Sequence, residues 1–182
     1  MDLRIIAGTA KGRRIAAVDG LETRPTLDRV REAVFGMIQF EVAGAAVLDL
    51  FAGSGAMGIE ALSRGAGSAL FCDRSQRCVE VIRSNLAALG FEAEVRCDDC
   101  FAMLRQLARE RRGFDIVFLD PPYASGLAHE CAAMLVELEL LRKGGVLIVE
   151  RASNVPVCIP RGLAAERERR YGAAGVTLLR ME

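Results

Sequence analysis

FDIVFLDPPY, residues 114–123, begins as a strand and ends in an acid, two prolines and an aromatic ring. The run of large apolar residues from Ile116 to Leu119 is typical of a central parallel strand that is covered on both faces. Pro121 ends the strand, because proline has no N–H to donate to a neighbouring strand. What is left at the strand's carboxyl end is two acceptors, the Asp120 carboxylate and the Pro121 carbonyl, beside the flat ring of Tyr123.

Two acceptors next to a stacking ring could receive a planar group that carries an NH2, such as a nucleobase with an exocyclic amine. Such an amine is a poor nucleophile, and accepting both of its N–H bonds would orient its lone pair towards an electrophile. An ordinary Asp-Pro turn after a strand has the same local sequence. These residues alone leave both interpretations open.

Length and composition favour one domain with a small appendage in the 182 residues. No apolar run has the roughly 18 residues that a membrane span needs, and the N-terminus lacks the apolar core of a signal peptide. We therefore expect a cytoplasmic protein, a monomer, in which the six cysteines are reduced. Cys97 and Cys100 form a lone CxxC, and with His129 as the only histidine we expect no metal site.

The net charge is zero, with 24 basic and 24 acidic residues, which argues against non-specific coating of nucleic acid. A local basic patch is nevertheless present in residues 3–14, where no acid occurs. Leu3–Ala7 and Arg14–Val18 are predicted to form a β-hairpin around a glycine-containing loop, which is either an RNA phosphate contact or a solvated tip. An amphipathic helix follows, with Thr26 as N-cap and its apolar face formed by Leu27, Val30, Val34 and Ile38.

Residues 1–40 are thus predicted to be an N-terminal extension, and residues 41–182 the main domain. Strands and helices alternate in the main domain, which predicts a Rossmann-like α/β fold with a mostly parallel sheet. The last two strands flank residues 172–175 and predict an antiparallel C-terminal hairpin. The expected strands are 46–50, 69–72, 93–97, 115–120, 146–150, 164–171 and 176–181, and the expected helices are 56–64, 75–89, 99–112 and 127–141.

Acids follow one strand after another in this pattern, namely Asp49, Asp73, Asp98 with Asp99, and Asp120. Ligands of such sheets bind beyond the carboxyl ends of the strands. Residues 53–58 match G-x-G-x-x-G, which also fits a dinucleotide site, but the acid before this loop suits an amine better than a polyphosphate. An amine at Asp49, a ribose at Asp73 and an adenine at Asp98 together describe S-adenosylmethionine.

Three motifs resemble a known family. Residues 49–55, DLFAGSG, are similar to the glycine motif of class I S-adenosylmethionine-dependent methyltransferases, and residues 120–123, DPPY, to the catalytic motif of those that methylate exocyclic amines. Residues 24–32 and 4–8 resemble the bacterial 16S ribosomal RNA guanine-N2 methyltransferase family. One departure is Gly36, where that family typically has a polar residue.

The resemblance implies methyl transfer from S-adenosylmethionine to a guanine N2 amine of 16S ribosomal RNA, within the small ribosomal subunit. It implies that the target base leaves its stack. The implied catalytic residues are Asp120, Pro121, Pro122 and Tyr123. The implied cofactor-binding residues are Asp49, Phe51, Gly53, Ser54, Gly55, Asp73, Arg74, Asp98 and Asp99, with Asp98 preferred to Asp99 for the adenine. The implied RNA-binding residues are Arg4, Lys11, Arg13, Arg14, Arg24 and Arg29.

Three alternatives are weighed against this interpretation. A DNA adenine-N6 methyltransferase can share the DPPY motif, but no separate target-recognition domain is evident. A dinucleotide-dependent oxidoreductase would leave residues 120–123 unexplained. A non-catalytic RNA-binding assembly factor would have no need of the intact motifs.

Overall fold

The computed structural model describes residues 2–18, 25–122 and 126–182. Strands and helices alternate along most of the chain, as the sequence pattern predicts. The strands are β1 (Asp2–Arg4), β2 (Arg14–Ala16), β3 (Ala46–Asp49), β4 (Ser68–Asp73), β5 (Glu94–Cys97), β6 (Phe114–Leu119), β7 (Leu141–Ala152), β8 (Leu163–Tyr171) and β9 (Ala174–Met181). The helices are α1 (Pro25–Met37), α2 (Ala56–Ser63), α3 (Gln76–Leu89), α4 (Cys100–Arg109) and α5 (Leu127–Glu137).

Seven strands form one sheet in the order β5-β4-β3-β6-β7-β9-β8. Strands β3 to β7 run parallel to their neighbours, whereas β9 pairs antiparallel with both β7 and β8. The chain order reverses between β3 and β6, which is where ligands of open α/β sheets bind. The predicted fold is therefore confirmed, including the antiparallel C-terminal hairpin and the small N-terminal hairpin of β1 and β2.

Strand β6 lies at the centre of this sheet and is covered on both faces. Ile116 and Phe118 belong to a hydrophobic core on the side of α1, α2 and α3. Val117 and Leu119 belong to a second core on the side of α4 and α5. The unbroken apolar run in the sequence follows from this burial, because each successive side chain enters one core or the other.

The N-terminal residues pack on α2 through two buried side chains. The Glu60 carboxylate, 1% exposed, accepts hydrogen bonds from the backbone N–H groups of Ile6 at 2.8 Å and Ala7 at 3.0 Å. The Ser63 hydroxyl donates to the carbonyl of Ala7 at 2.6 Å and accepts from the N–H of Ala10 at 3.0 Å. The N-terminal segment is thus bound to α2 by two polar side chains that are themselves buried.

Several predicted boundaries are wrong. The strands of the N-terminal hairpin are shorter than predicted, and Thr26 lies inside α1 instead of capping it. Helix α5 was expected to reach Leu141, but it ends at Glu137, and Leu141 already belongs to β7. Two local features explain this early end: Glu139 adopts a positive φ of 53°, and the buried Leu140 and Leu141 join the core beside α4 and α5.

Other local predictions are confirmed. Ser75 caps α3, because its side chain accepts from the N–H of Cys78, and Gly90 ends that helix in the left-handed conformation. Val30 and Val34 of α1 and Ile38, directly after the helix, are buried. In the described part of the chain, no helix combines the length and the apolarity that a membrane crossing requires.

Candidate cofactor and substrate site

Strand register places four acidic residues in one row across the sheet, which we call the acidic row: Asp73, Asp49, Asp120 and Glu150. Asp49 at the end of β3 pairs in register with Phe71 and Phe118. Asp73 and Asp120 therefore lie two residues further along their strands, about 7 Å beyond Asp49. Leu119 pairs with Val149, so the next residues, Asp120 and Glu150, lie level with each other.

All four acids lie on the same face of the sheet, because side chains alternate along a strand. Phe71, Val47, Phe118 and Ile148 each precede one of the acids by two residues, and all four belong to the core beside α1, α2 and α3. The acidic row therefore continues that face at the carboxyl ends of β4, β3 and β6, with Glu150 of β7 level with Asp120. Neighbouring strands are about 4.8 Å apart, so these carboxylates form one negatively charged surface that suits a positively charged ligand.

The glycine loop before α2 and the first turn of that helix have two positions at which a side chain is disfavoured. Gly55 adopts φ 80° and precedes the first turn of α2, a conformation that side chains disfavour. Gly58 lies inside α2, where a Cβ would be 2.3 Å from Cε1 of Phe71. Gly55 therefore forms the turn, and Gly58 allows the helix to pack closely on β4, two of the roles that glycines have in such loops.

Asp49 is buried at the bottom of the row, and only 4% of it is exposed. Its Oδ2 accepts a hydrogen bond of 3.0 Å from the N–H of Gly58 at the beginning of α2. Burial raises the pKa of the Asp49 carboxyl to about 7, the Gly58 hydrogen bond offsets part of this rise, and the charge of Asp73 adds to it. A nearby cation would return the carboxyl to its charged form, which is the expected behaviour of a residue that binds an amine.

Asp73 is held in place by two backbone groups. Its Oδ2 accepts from the N–H of Gly53 at 2.9 Å, and its Oδ1 accepts from the N–H of Ser75 at 2.9 Å. Each carboxylate oxygen has a second lone pair, so the oriented carboxylate can still accept from a ribose diol. Gly53 and Asp73 therefore lie together as the cofactor interpretation requires.

The two acids after β5 have different environments. Asp99 caps α4, because its Oδ1 accepts from the N–H groups of Phe101 at 3.0 Å and Ala102 at 3.2 Å. Asp98 is half-buried, and its backbone N–H donates to the Asp73 carbonyl at 3.2 Å. Asp99 therefore has a structural role that needs no ligand, whereas Asp98 lies beside Asp73 at the sheet edge.

The other proposed cofactor residues are Phe51 and Ser54, half-buried in the glycine loop, and the exposed Arg74.

Asp120 lies where the site opens to solvent. The residue is exposed, yet enough protein surrounds its carboxylate to raise the pKa, first through desolvation and then through the charges of Glu150 and Asp49. Pro121 is buried and Pro122 is exposed, whereas Tyr123 lies outside the described residues.

The basic residues of the N-terminal hairpin are exposed at the surface. Arg4, Lys11, Arg13 and Arg14 are exposed, as is Arg29 of α1; Arg24 lies outside the described residues. Asn85 of α3 connects this hairpin to the loop: its Oδ1 accepts from the N–H of Ala16 at 2.8 Å, and its Nδ2 donates to the carbonyls of Ala16 and Ser54, both at 3.0 Å.

Sequence reasoning missed Glu150 and Asn85. Glu150 is the last residue of a predicted strand, which was the same signal that identified the other acids. Asn85 gave no comparable signal, because a polar residue within a helix is usually solvated, whereas this one is buried. In the described residues, no group of three or more His, Cys, Asp or Glu side chains could hold a metal ion.

Known structures share this fold. A Streptococcus mutans protein that is assigned as a SAM-dependent methyltransferase superimposes with a TM-score of 0.77 at 17% identity, covering 96% of this chain and 54% of that chain. The solved structure of the Escherichia coli protein yhhF gives a TM-score of 0.91 at 34% identity, covering 100% of this chain and 99% of that chain. The fold is that of the class I methyltransferases.

Sequence comparison gives the family. The family model described as Conserved hypothetical protein 95 matches residues 3–180. The ribosomal RNA small subunit methyltransferase D of Escherichia coli K12 is 34% identical over 181 residues, which are 99% of this chain and 90% of the relative. The chain belongs to the family that this model describes, and the resemblance to small-subunit rRNA methyltransferases is confirmed.

Proposed function

We propose that the protein transfers a methyl group from S-adenosylmethionine to the exocyclic N2 amine of a guanine in 16S ribosomal RNA. The observation that carries this proposal is the acidic row, which joins the glycine loop at Asp49 to the DPPY strand end at Asp120. The first half of the row suits a cationic cofactor, and the second half suits the N–H donors of a base. The name of the Escherichia coli relative supports a small-subunit rRNA substrate.

S-adenosylmethionine, when bound, supplies an electrophilic methyl group and carries its own positive charge. Asp49, beside the glycine loop, would hold its methionine end, because a buried carboxylate can pair with an α-ammonium group. Asp73, oriented by the N–H groups of Gly53 and Ser75, would accept from the ribose hydroxyls. Asp98 would accept from the adenine amine.

Asp120 and the Pro121 carbonyl would accept from the two N–H bonds of the target amine. This contact fixes the direction of the nitrogen lone pair, and positioning is the main contribution. Asp120 can also take the proton that the amine releases once it has been methylated. Tyr123 would stack on the base after it has left its helix.

The exposed basic residues Arg4, Lys11, Arg13, Arg14 and Arg29, with Arg24, would bind RNA phosphates. Such contacts place the substrate without reading its sequence. The Asn85 hydrogen bonds hold the hairpin against the glycine loop, so an RNA strand on the hairpin would lie close to the cofactor.

The test is methyl transfer followed by identification of the product. The purified chain is incubated with methyl-labelled S-adenosylmethionine and small ribosomal subunits from cells that lack this gene, and the RNA is digested to nucleosides for mass spectrometry. We expect label in N2-methylguanosine, and fragment mapping gives its position. Subunits from cells that have the gene are the matched control, because their site is already methylated. Label in N6-methyladenosine, or no incorporation into either kind of subunit, would contradict the proposal.

A further inference from the structure

The acidic row contains one carboxylate that the chemistry described above does not use, Glu150. It directly follows Val149, the last β7 residue that pairs with β6, and register places it level with Asp120, about 4.8 Å away between strands. Its side chain lies on the same face as Asp120, because Phe118 and Ile148 share one core. The two carboxyl groups are therefore side by side where the pairing of β6 with β7 ends.

Open space adjoins Glu150. This residue lines a cavity of about 220 Å³ together with Pro121 and Pro122, the two residues that follow Asp120. Asp120 is exposed and Glu150 is half-buried, so both can be reached from outside the sheet.

Two adjacent acceptors match the Watson–Crick edge of one base. Guanine presents two neighbouring donors there, N1–H and the N2 amine, whereas adenine and cytosine present an amine next to a ring nitrogen that is an acceptor. A second carboxylate beside Asp120 would accept from N1–H of guanine. The same carboxylate would face the lone pair of the other bases, and an unmatched buried polar group is costly.

We propose that Glu150 selects guanine as the target base by accepting a hydrogen bond from its N1–H, while Asp120 accepts from the N2 amine. This inference rests on the proposed function and adds the residue that determines base specificity. It assigns separate roles to the two acids: Asp120 positions the reacting nitrogen, and Glu150 reads the neighbouring atom.

The test changes one base in the substrate and one side chain in the enzyme. An RNA fragment carries either guanine or 2-aminopurine at the guanine identified by mapping; 2-aminopurine keeps the N2 amine but has an acceptor at N1. The measured quantity is the ratio of kcat/KM for guanine to kcat/KM for 2-aminopurine. Glu150→Gln offers an NH2 that can donate to this acceptor, so we expect the ratio to fall by about 10–100-fold relative to the unmodified enzyme, the scale of one charged hydrogen bond.

Because each ratio is taken within one enzyme, differences in folded fraction cancel. Glu92→Gln, an exposed carboxylate outside the row, is the matched control and should leave the ratio unchanged. An unchanged ratio in Glu150→Gln, or an equal loss of activity on both bases, would overturn the assignment. Failure of the unmodified enzyme to methylate the guanine fragment would instead count against the proposed function.

Discussion

We expect the buried carboxylate of Asp49 to lower the free energy of unfolding while it contributes to cofactor binding. The variant Asp49→Asn tests this expectation. The carboxyl is 4% exposed, and burial raises its pKa to about 7, whereas an unfolded chain has a value near 3.8. The folded state therefore holds a proton that the unfolded state has released, so the free energy of unfolding falls as pH rises between these two values. Asparagine carries no charge at any pH, so the variant should not lose stability in this way as the pH rises.

The size of the effect follows from the same numbers. A pKa rise from 3.8 to about 7 lowers the free energy of unfolding by at most about 4 kcal/mol above pH 7, and by roughly 1.6 kcal/mol at pH 5. The stability gain of Asp49→Asn over the unmodified protein should therefore grow by about 2–3 kcal/mol between pH 5 and pH 8. The asparagine Oδ1 can still accept from the N–H of Gly58, so the local structure is preserved.

The assay is urea denaturation of the cofactor-free protein at both pH values, with calorimetric titration of S-adenosylmethionine. We expect higher stability but weaker cofactor binding in Asp49→Asn. Asp115 offers a control of opposite sign: burial acts to raise its pKa, but the Ala46 N–H and Arg142 outweigh burial and lower it. Asp115→Asn should therefore lose the same stability at pH 5 and pH 8, because both values lie above the ordinary pKa of 3.8, and the loss should shrink only as the pH falls below that value. A gain in Asp49→Asn that is the same at pH 5 and pH 8 would refute the reasoning.

Three further predictions follow from the site and its surroundings. Asp73→Ala should weaken S-adenosylmethionine binding by about 1.5–3 kcal/mol, the value of a hydrogen bond to a charged group; unchanged affinity in calorimetry would reject the ribose assignment. Neutralising Lys11, Arg13 and Arg14 together should weaken RNA binding and flatten its salt dependence without changing cofactor affinity; an unchanged salt slope would show that they do not contact phosphates. Gly58→Ala should destabilise the protein by about 1–3 kcal/mol, because the new methyl group clashes with Phe71. Gly36→Ala meets nothing within 4 Å and should stabilise the protein by about 0.5–1 kcal/mol. Denaturation curves in which both variants shift in the same direction would contradict these two expectations.

Much of the fold could be predicted because local and tertiary preferences agree. Ile116 to Leu119 form an apolar run because two cores cover β6, and an acid after a buried strand marks the sheet edge. Helix α5 could not be bounded correctly, because Leu140 and Leu141 continue an apolar pattern that suits a helix as well as a strand. The turn at Glu139, which separates the two elements, has no proline or glycine to reveal it.

The sequence predicts those site residues that lie at the end of a recognisable strand, but not those whose role depends on which elements are neighbours. Asp49, Asp73 and Asp120 each follow a recognisable strand, and register brings them into one row. Glu150 has the same position on β7, but its place beside Asp120 depends on which strands are neighbours. Asn85 acquires its role from the packing of β2 and the glycine loop against α3, a tertiary arrangement that the local sequence does not encode.

The central claim is that the strand end at Asp120 is the reacting centre, and single-turnover methyl transfer at saturating cofactor tests it most directly. Asp120→Asn keeps the shape of the side chain but exchanges one acceptor oxygen for an NH2 donor. We predict a rate about 10²–10⁴-fold below that of the unmodified enzyme, with S-adenosylmethionine still bound. A rate close to that of the unmodified enzyme would contradict the account, because Asp120 would then only end a strand.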